Sequence, residues 1–150
     1  MSFVANGNNT PSNVNLNSGD FWPVISLDEL RADLRLDGSV TDVRLKNAAM
    51  YSIIDTNRLL LSLMGKAPTL AQLGTEKIND KPYSVILYFQ AVSAGTGAKI
   101  IEKFRSYDSS QEGEKRAEQE QGKTIDEYRR DQRWAIRDLL GMTHVTVELI

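Results

Sequence analysis

The chain has 150 residues with 18 basic and 20 acidic side chains, a formal net charge of −2, so no global field draws it to nucleic acid or a membrane surface. It has no cysteine and a single histidine, which excludes disulfides, thiolate chemistry and a His-based metal cluster or catalytic triad in one subunit. The length fits one domain with a real core. No apolar run approaches the roughly 20 residues of a bilayer span, and no signal segment opens the chain, so a soluble intracellular protein without enzymatic activity or cofactor is expected.

Residues 1–19 hold no charged side chain and six asparagines. Such a composition buries too little apolar surface to offset its ordering entropy, so 1–20 is expected to be a flexible arm able to lie extended on a partner. Asp20-Phe21-Trp22-Pro23 starts the ordered part, because the residue before proline is pushed out of helix and the two aromatics can pack under the first helix. Ser26 and Glu29 have capping-box spacing and open a short helix with Leu27, Leu30 and Leu34 on one face. Leu36-Asp37-Gly38 ends it as a turn in which Gly38 is free to take positive φ.

Ser39 or Thr41 caps a second helix over 42–64. It carries two apolar stripes: Val43, Met50, Ile54 and Leu61 form one, while Leu45, Ala49, Ile53, Leu60 and Leu63 form the other. A helix apolar on two sides is wedged between neighbours, or is core on one side and subunit contact on the other. Residues 65–82 form a connector rich in Gly, Pro and Thr, with a short helical turn around Leu70 to Leu73. The third helix, 83–107, is the most apolar stretch and at 1.5 Å per residue would be about 37 Å long. Gly95 and Gly97 at its centre lower helix stability and so predict close backbone approach or a bend. Residues 108–123 are polar, mixed in charge and glycine-punctuated, a long loop for a compact domain.

A last helix opens at Thr124, with Glu127 three residues on in a second capping box, and Ile125, Tyr128, Ala135, Ile136 and Leu139 form its stripe. Gly141 stands where a left-handed terminating residue would be. Beyond it His144, Val145, Thr146, Val147, Glu148, Leu149 and Ile150 alternate polar and apolar, which predicts a strand with no partner after it. It folds back on its own domain, frays, or completes a neighbour's sheet.

Gly95-Thr96-Gly97-Ala98-Lys99 has the look of a phosphate loop, but it lies inside a helical pattern and Ile100, not Ser or Thr, follows the lysine. Arg129, Arg130, Arg133 and Arg137 run along the last helix with Trp134 opposite the core stripe. Interleaved acids (Asp126, Glu127, Asp131 and Asp138) argue against phosphate contact, so Trp134 is read as an interface anchor stacked with arginine. The paired charges are otherwise surface ion pairs.

Several segments in this order resemble the head completion proteins of contractile-tailed phages, the gpL family. They are Phe21-Trp22-Pro23 leading to Leu34-Arg35-Leu36, Val40-Thr41 with Arg44-Leu45, and a helix ending near Asn57. Tyr88 with Ala91-Val92, Phe104-Arg105 with Tyr107-Asp108, Thr124-Ile125-Asp126-Glu127, and Arg130-Asp131 with Arg133-Trp134-Ala135 continue the pattern. Only the first twenty residues and the 65–81 connector lack a counterpart. The resemblance implies an all-α subunit, a small bundle of about four helices with an N-terminal arm (1–20), a helical connector domain (21–141, with the 108–123 loop mobile) and a C-terminal β-strand tail (142–150).

It further implies a virion protein of the neck, assembled in the host cytoplasm, that forms a dodecameric ring under the portal. The ring would extend the DNA channel and join the filled head to a tail terminator or other neck protein, with genomic DNA only passing through the lumen. Portal docking is then assigned to the strand from His144 to Ile150. Contact between neighbouring copies is assigned to Trp134, Arg130, Arg133, Arg137, Leu45, Ile53 and Leu60. The alternative reading is a helical DNA-binding or regulatory module, whose affinity would fall steeply with salt.

Overall fold

The structure, a computed structural model, describes residues 10–107 and 123–148, with the side chains of 104–107 and 143–148 excepted. In chain order it contains β1 (Asn15–Leu16), β2 (Ile25–Ser26), α1 (Leu27–Asp33), α2 (Asp42–Leu59), β3 (Lys77–Ile78), β4 (Lys81–Pro82), α3 (Tyr83–Tyr107) and α4 (Ile125–Glu148). The strands are two-residue pairs, β1 with β2 and β3 with β4, both antiparallel. The fold is therefore mostly helical, as expected.

Helix α3 is the element the others pack on, with α2 and α4 laid against it. Residues 91–98 are buried without a break, which one helix can achieve only when neighbours close on it from several sides. The two central glycines make that approach possible. A Cβ on Gly95 would collide with Ser52 of α2 and Gln132 of α4, and one on Gly97 would lie 2.7 Å from the Tyr128 ring. Close approach, not a bend, is their role, and α3 runs through them uninterrupted. The seam is also hydrogen-bonded: Ser52 Oγ and Thr96 Oγ1 each donate to the Val92 carbonyl at 2.7 Å. Residues 83–103 are long and apolar enough to cross a membrane by length and composition, contrary to the reading of the sequence, but 67% of that window is buried inside the protein. Burial against α2 and α4 identifies it as the core helix.

The aromatic pair after Asp20 packs on α3. Trp22 stacks on Tyr88 at 5.7 Å between ring centroids and meets Phe21 edge-on at 4.8 Å. Tyr88 donates its hydroxyl to Asn57 Oδ1 of α2 at 2.6 Å. Burial pushes that phenol up to about 12, with its hydrogen bonds to the Ser18 and Asn57 side chains acting the other way.

Order begins before residue 20. Ser12 N, Ser12 Oγ and Asn13 N each donate to the Asp28 carboxylate at 3.0 Å, Leu27 N donates to Val14 O, and Leu16 is buried. An arm without charge of its own is held by the first-turn acid of α1, a long-range contact that composition does not reveal. Only residues 1–9 of the expected arm lie outside the described residues.

Three helix starts follow the predicted caps, while the helix ends depart from them. Ser26, Thr41 and Thr124 each accept from the amide three residues on, and Thr124 N donates back to Glu127 in a full capping box. After α1, however, it is Arg35 that turns left-handed, at φ 55, letting Leu36 N close on Arg31 O; Gly38 keeps an ordinary φ. The second helix ends at Leu59 with one 3-10 turn (Leu61–Leu63) beyond it, rather than at Met64. Asn79 and Asp80, both at positive φ, make the two-residue turn that closes β3 on β4.

The C-terminal strand is corrected. Helix α4 continues through Gly141 to Glu148, so His144, Val145, Thr146, Val147 and Glu148 are helical; Leu149 and Ile150 lie outside the described residues. Gly141 takes no left-handed φ and its missing Cβ faces open space. An alternating segment without a partner strand leaves its backbone groups unpaired, whereas extending an existing helix satisfies them one residue at a time. The expected loop 108–123 lies outside the described residues except for Lys123.

Candidate docking surface

The described surface carries no arrangement for chemistry. A cavity of about 550 Å³ lies where α1, α3 and α4 meet and is lined by Asp33, Arg35, Ser93, Lys123, Tyr128 and Asp131, among others. Its polar groups are mostly committed to one another: Ser93 Oγ donates to Asp33, and Asp131 takes Lys123 at 2.8 Å and Arg130 at 3.0 Å. Burial alone would raise the Asp131 carboxyl, but the hydrogen bonds and charges of Lys123 and Arg130 outweigh it and hold the group below the ordinary carboxylate range. Burial, with nearby Asp33 and Asp131, pushes the Tyr128 phenol up to about 12 and so keeps it protonated. No nucleophile beside a base can be assembled from these groups.

Apolar side chains left in water mark the surface instead. Helix α2 and the 3-10 turn after it carry the two stripes expected, with unequal fates. Leu45, Ala49, Ile53, Leu60 and Leu63 are buried. Val43 is 68% exposed, Met50 45%, Ile54 50% and Leu61 60%, with Tyr51, Leu59 and Met64 exposed beside them. The assignment of Leu45, Ile53 and Leu60 to a contact between copies is thereby overturned, because these side chains fill the subunit's own core.

The sequence carried a signal for which stripe faces outward. Asn47 and Arg58 share the 3.6-residue period of Val43, Met50 and Ile54, and polar groups on a stripe mark the side facing water. The core stripe is interleaved with Ala48, Ser52 and Thr56, small enough to let α3 approach.

On α4 the sequence reading placed four residues on one outward face. Trp134 is 49% exposed, and the Arg130 guanidinium lies over its ring at 4.8 Å from the centroid, the predicted stacking. Arg130 also pairs with Asp131, and neighbouring Arg129 ties α4 to α3 through Glu102. Arg133 and Arg137 are exposed. They stand at the rim of a groove of about 460 Å³ whose other lining residues, among those described, are Leu59 from the end of α2 and Ile136, Leu140 and Gly141 of α4. Leu59 was not singled out from the sequence; as the last residue of its helix it falls outside the interior periodicity.

Helical order, a core-facing capping box at Thr124 and the Trp22–Tyr88 stack all fall on segments the resemblance rests on. Residues 16–150 match the profile of the phage head completion protein (GPL) family. The chain belongs to this family. The head completion/stabilization protein of Escherichia phage P2 is 30% identical over 135 residues, covering 87% of this chain and 79% of that protein. No solved structure matches the chain. The family is one of structural phage proteins and not of enzymes, so its role here is structural and virion-associated.

Proposed function

We propose that this head completion protein is a head-tail connector subunit, forming a ring under the portal that extends the DNA channel and links the filled head to the tail. The observation that carries the reading is the outward stripe of α2: Val43, Met50, Ile54 and Leu61 are exposed on a protein whose family is structural. A closed ring needs two different, mutually complementary patches on each subunit. The α2 stripe and the Trp134 face of α4, with Arg130 beside it, supply two such patches, and ring symmetry multiplies a modest contact by avidity. The copy number is dodecameric, the number the resemblance implies.

Residues 144–150 engage the portal in this reading, and 144–148 of them are the last residues of α4. The distal face meets a tail terminator or another neck protein, and genomic DNA passes through the lumen without specific contact. Native mass spectrometry of the protein alone, then with its portal ring, tests the reading. The expected outcome is a monomer that joins at one copy per portal subunit; a protein that ignores the portal sinks it. Removing residues 145–150 is expected to leave a folded monomer that no longer docks, and undiminished docking would take the segment out of the proposal.

A further inference from the structure

The groove between the end of α2 and the last turns of α4 combines two features that a solvated surface does not need. Its floor is apolar, made by Leu59, Ile136 and Leu140, and Leu59 is 57% exposed. Its rim holds Arg133 and Arg137, one turn apart and therefore on one side of the helix. The arginines before them in α4 are committed, Arg129 to Glu102 and Arg130 to Asp131 and Trp134. Among the described residues Arg133 and Arg137 have no ion pair or side-chain hydrogen bond. The nearest candidate on α2, Asp55, is taken by Lys99 of α3 at 3.0 Å. Asp138, next to Arg137, pairs with neither.

Charge decides what fits. A guanidinium is a planar fork matched to carboxylate or phosphate. A nucleic acid would satisfy the rim and leave the apolar floor wet. The exposed apolar stripe of a second copy brings Lys46 and Arg58 with it, so it would set cations against Arg133 and Arg137. A protein segment with apolar side chains for the floor and carboxylates for the rim satisfies both.

We infer that this groove is a docking site for an acidic amphipathic segment of the portal protein. Leucine- or isoleucine-like side chains of that segment enter between Leu59, Ile136 and Leu140, and its Asp or Glu residues pair with Arg133 and Arg137. The inference rests on the connector reading and deepens it, since it adds a second portal contact beside residues 144–150.

The test uses the full-length protein and purified portal rings. A diazirine leucine analogue replacing Leu59 is photoactivated in the docked complex, and the cross-linked peptides are sequenced. In parallel, docking is titrated for the R133E/R137E double variant, for R133K/R137K and for the distant surface control K77E. The expected result is a cross-link to a portal peptide with Asp or Glu within one turn of an apolar residue. Docking of R133E/R137E should weaken roughly 30-fold or more, with R133K/R137K intermediate, K77E unchanged, and an unaltered thermal midpoint for all. Cross-links to another copy of this chain, to added duplex DNA or to a portal peptide without carboxylates overturn the inference. So does wild-type docking by R133E/R137E. Each of these leaves the connector reading standing, because wild-type protein still docks; if wild-type protein does not dock, both fall.

Discussion

The two stripes of α2 are almost equally apolar in sequence and opposite in circumstance. Leu45 and Leu60 are wholly buried, whereas Val43 and Leu61 are more than half exposed. Hydrophobic periodicity reports that a face avoids water; it does not report whether the cover comes from the same chain. What separates the stripes is the company they keep. The inner one is interleaved with Ala48, Ala49, Ser52 and Thr56, all buried, which permit the close packing that α3 meets with its own run of small residues. The outer one includes Asn47 and Arg58, both exposed, which stay hydrated at no cost while the subunit is free.

Substitutions on the two sides should therefore separate stability from assembly. The largest effect on folding is expected for Leu45→Ala, about 2–5 kcal/mol in urea or guanidinium unfolding, because transfer energy is lost and a cavity is left at a wholly buried site. Gly97→Ala tests the packing that makes the inner stripe inner. Its Cβ would meet the Tyr128 ring at 2.7–3.0 Å, so α3 and α4 must part, at a cost of about 1–3 kcal/mol in the same measurement. Neutral behaviour there would mean that Tyr128 swings aside freely and that the glycine is incidental. The smallest effect is expected for Ile54→Ser on the outer stripe: under about 0.5 kcal/mol on the free subunit, yet a loss of higher-order species in native mass spectrometry with the portal ring. A large loss of monomer stability from Ile54→Ser would erase the distinction between the stripes.

Much of the fold could be read from local chemistry, and the exceptions share one cause. Caps depend on residues three positions apart, so Ser26, Thr41 and Thr124 were legible. The closeness demanded at Gly95 and Gly97 and the stripe of α4 were legible because each follows from spacing within one element; the burial of Trp22 was legible from the aromatic pair before Pro23, but its stacking partner Tyr88 on α3 was not. The arm, the turn and the tail were not. Residues 12 and 13 are ordered by Asp28, fifteen or so positions away, and nothing in an uncharged asparagine-rich stretch announces that partner. The left-handed residue after α1 is Arg35, a position no propensity favours, fixed by the closing bond from Leu36 to Arg31.

The tail alternates with period two, yet alternation specifies a strand only if an edge is available to receive it. Within the described residues α4 offers its own continuation instead. On the outer face of α4, the stacking of exposed Trp134 with its arginine was legible as an aromatic among cations. The groove was not, because it exists only where the end of α2 comes beside α4.

The anchoring of the N-terminal stretch has a mechanical meaning. A tension applied upstream of Ser12 does not peel the weak two-residue β1–β2 pair from its end. It divides first at the Asp28 clamp, which passes load to the first turn of α1. What remains reaches Ser18, held by Asn57 of α2 at 3.1 Å, and then Trp22, seated on Tyr88 of α3. Three helices thus share any pull on the arm, and the chain can be tugged from that end without first opening the seam around Val92 on which the rest of the fold depends.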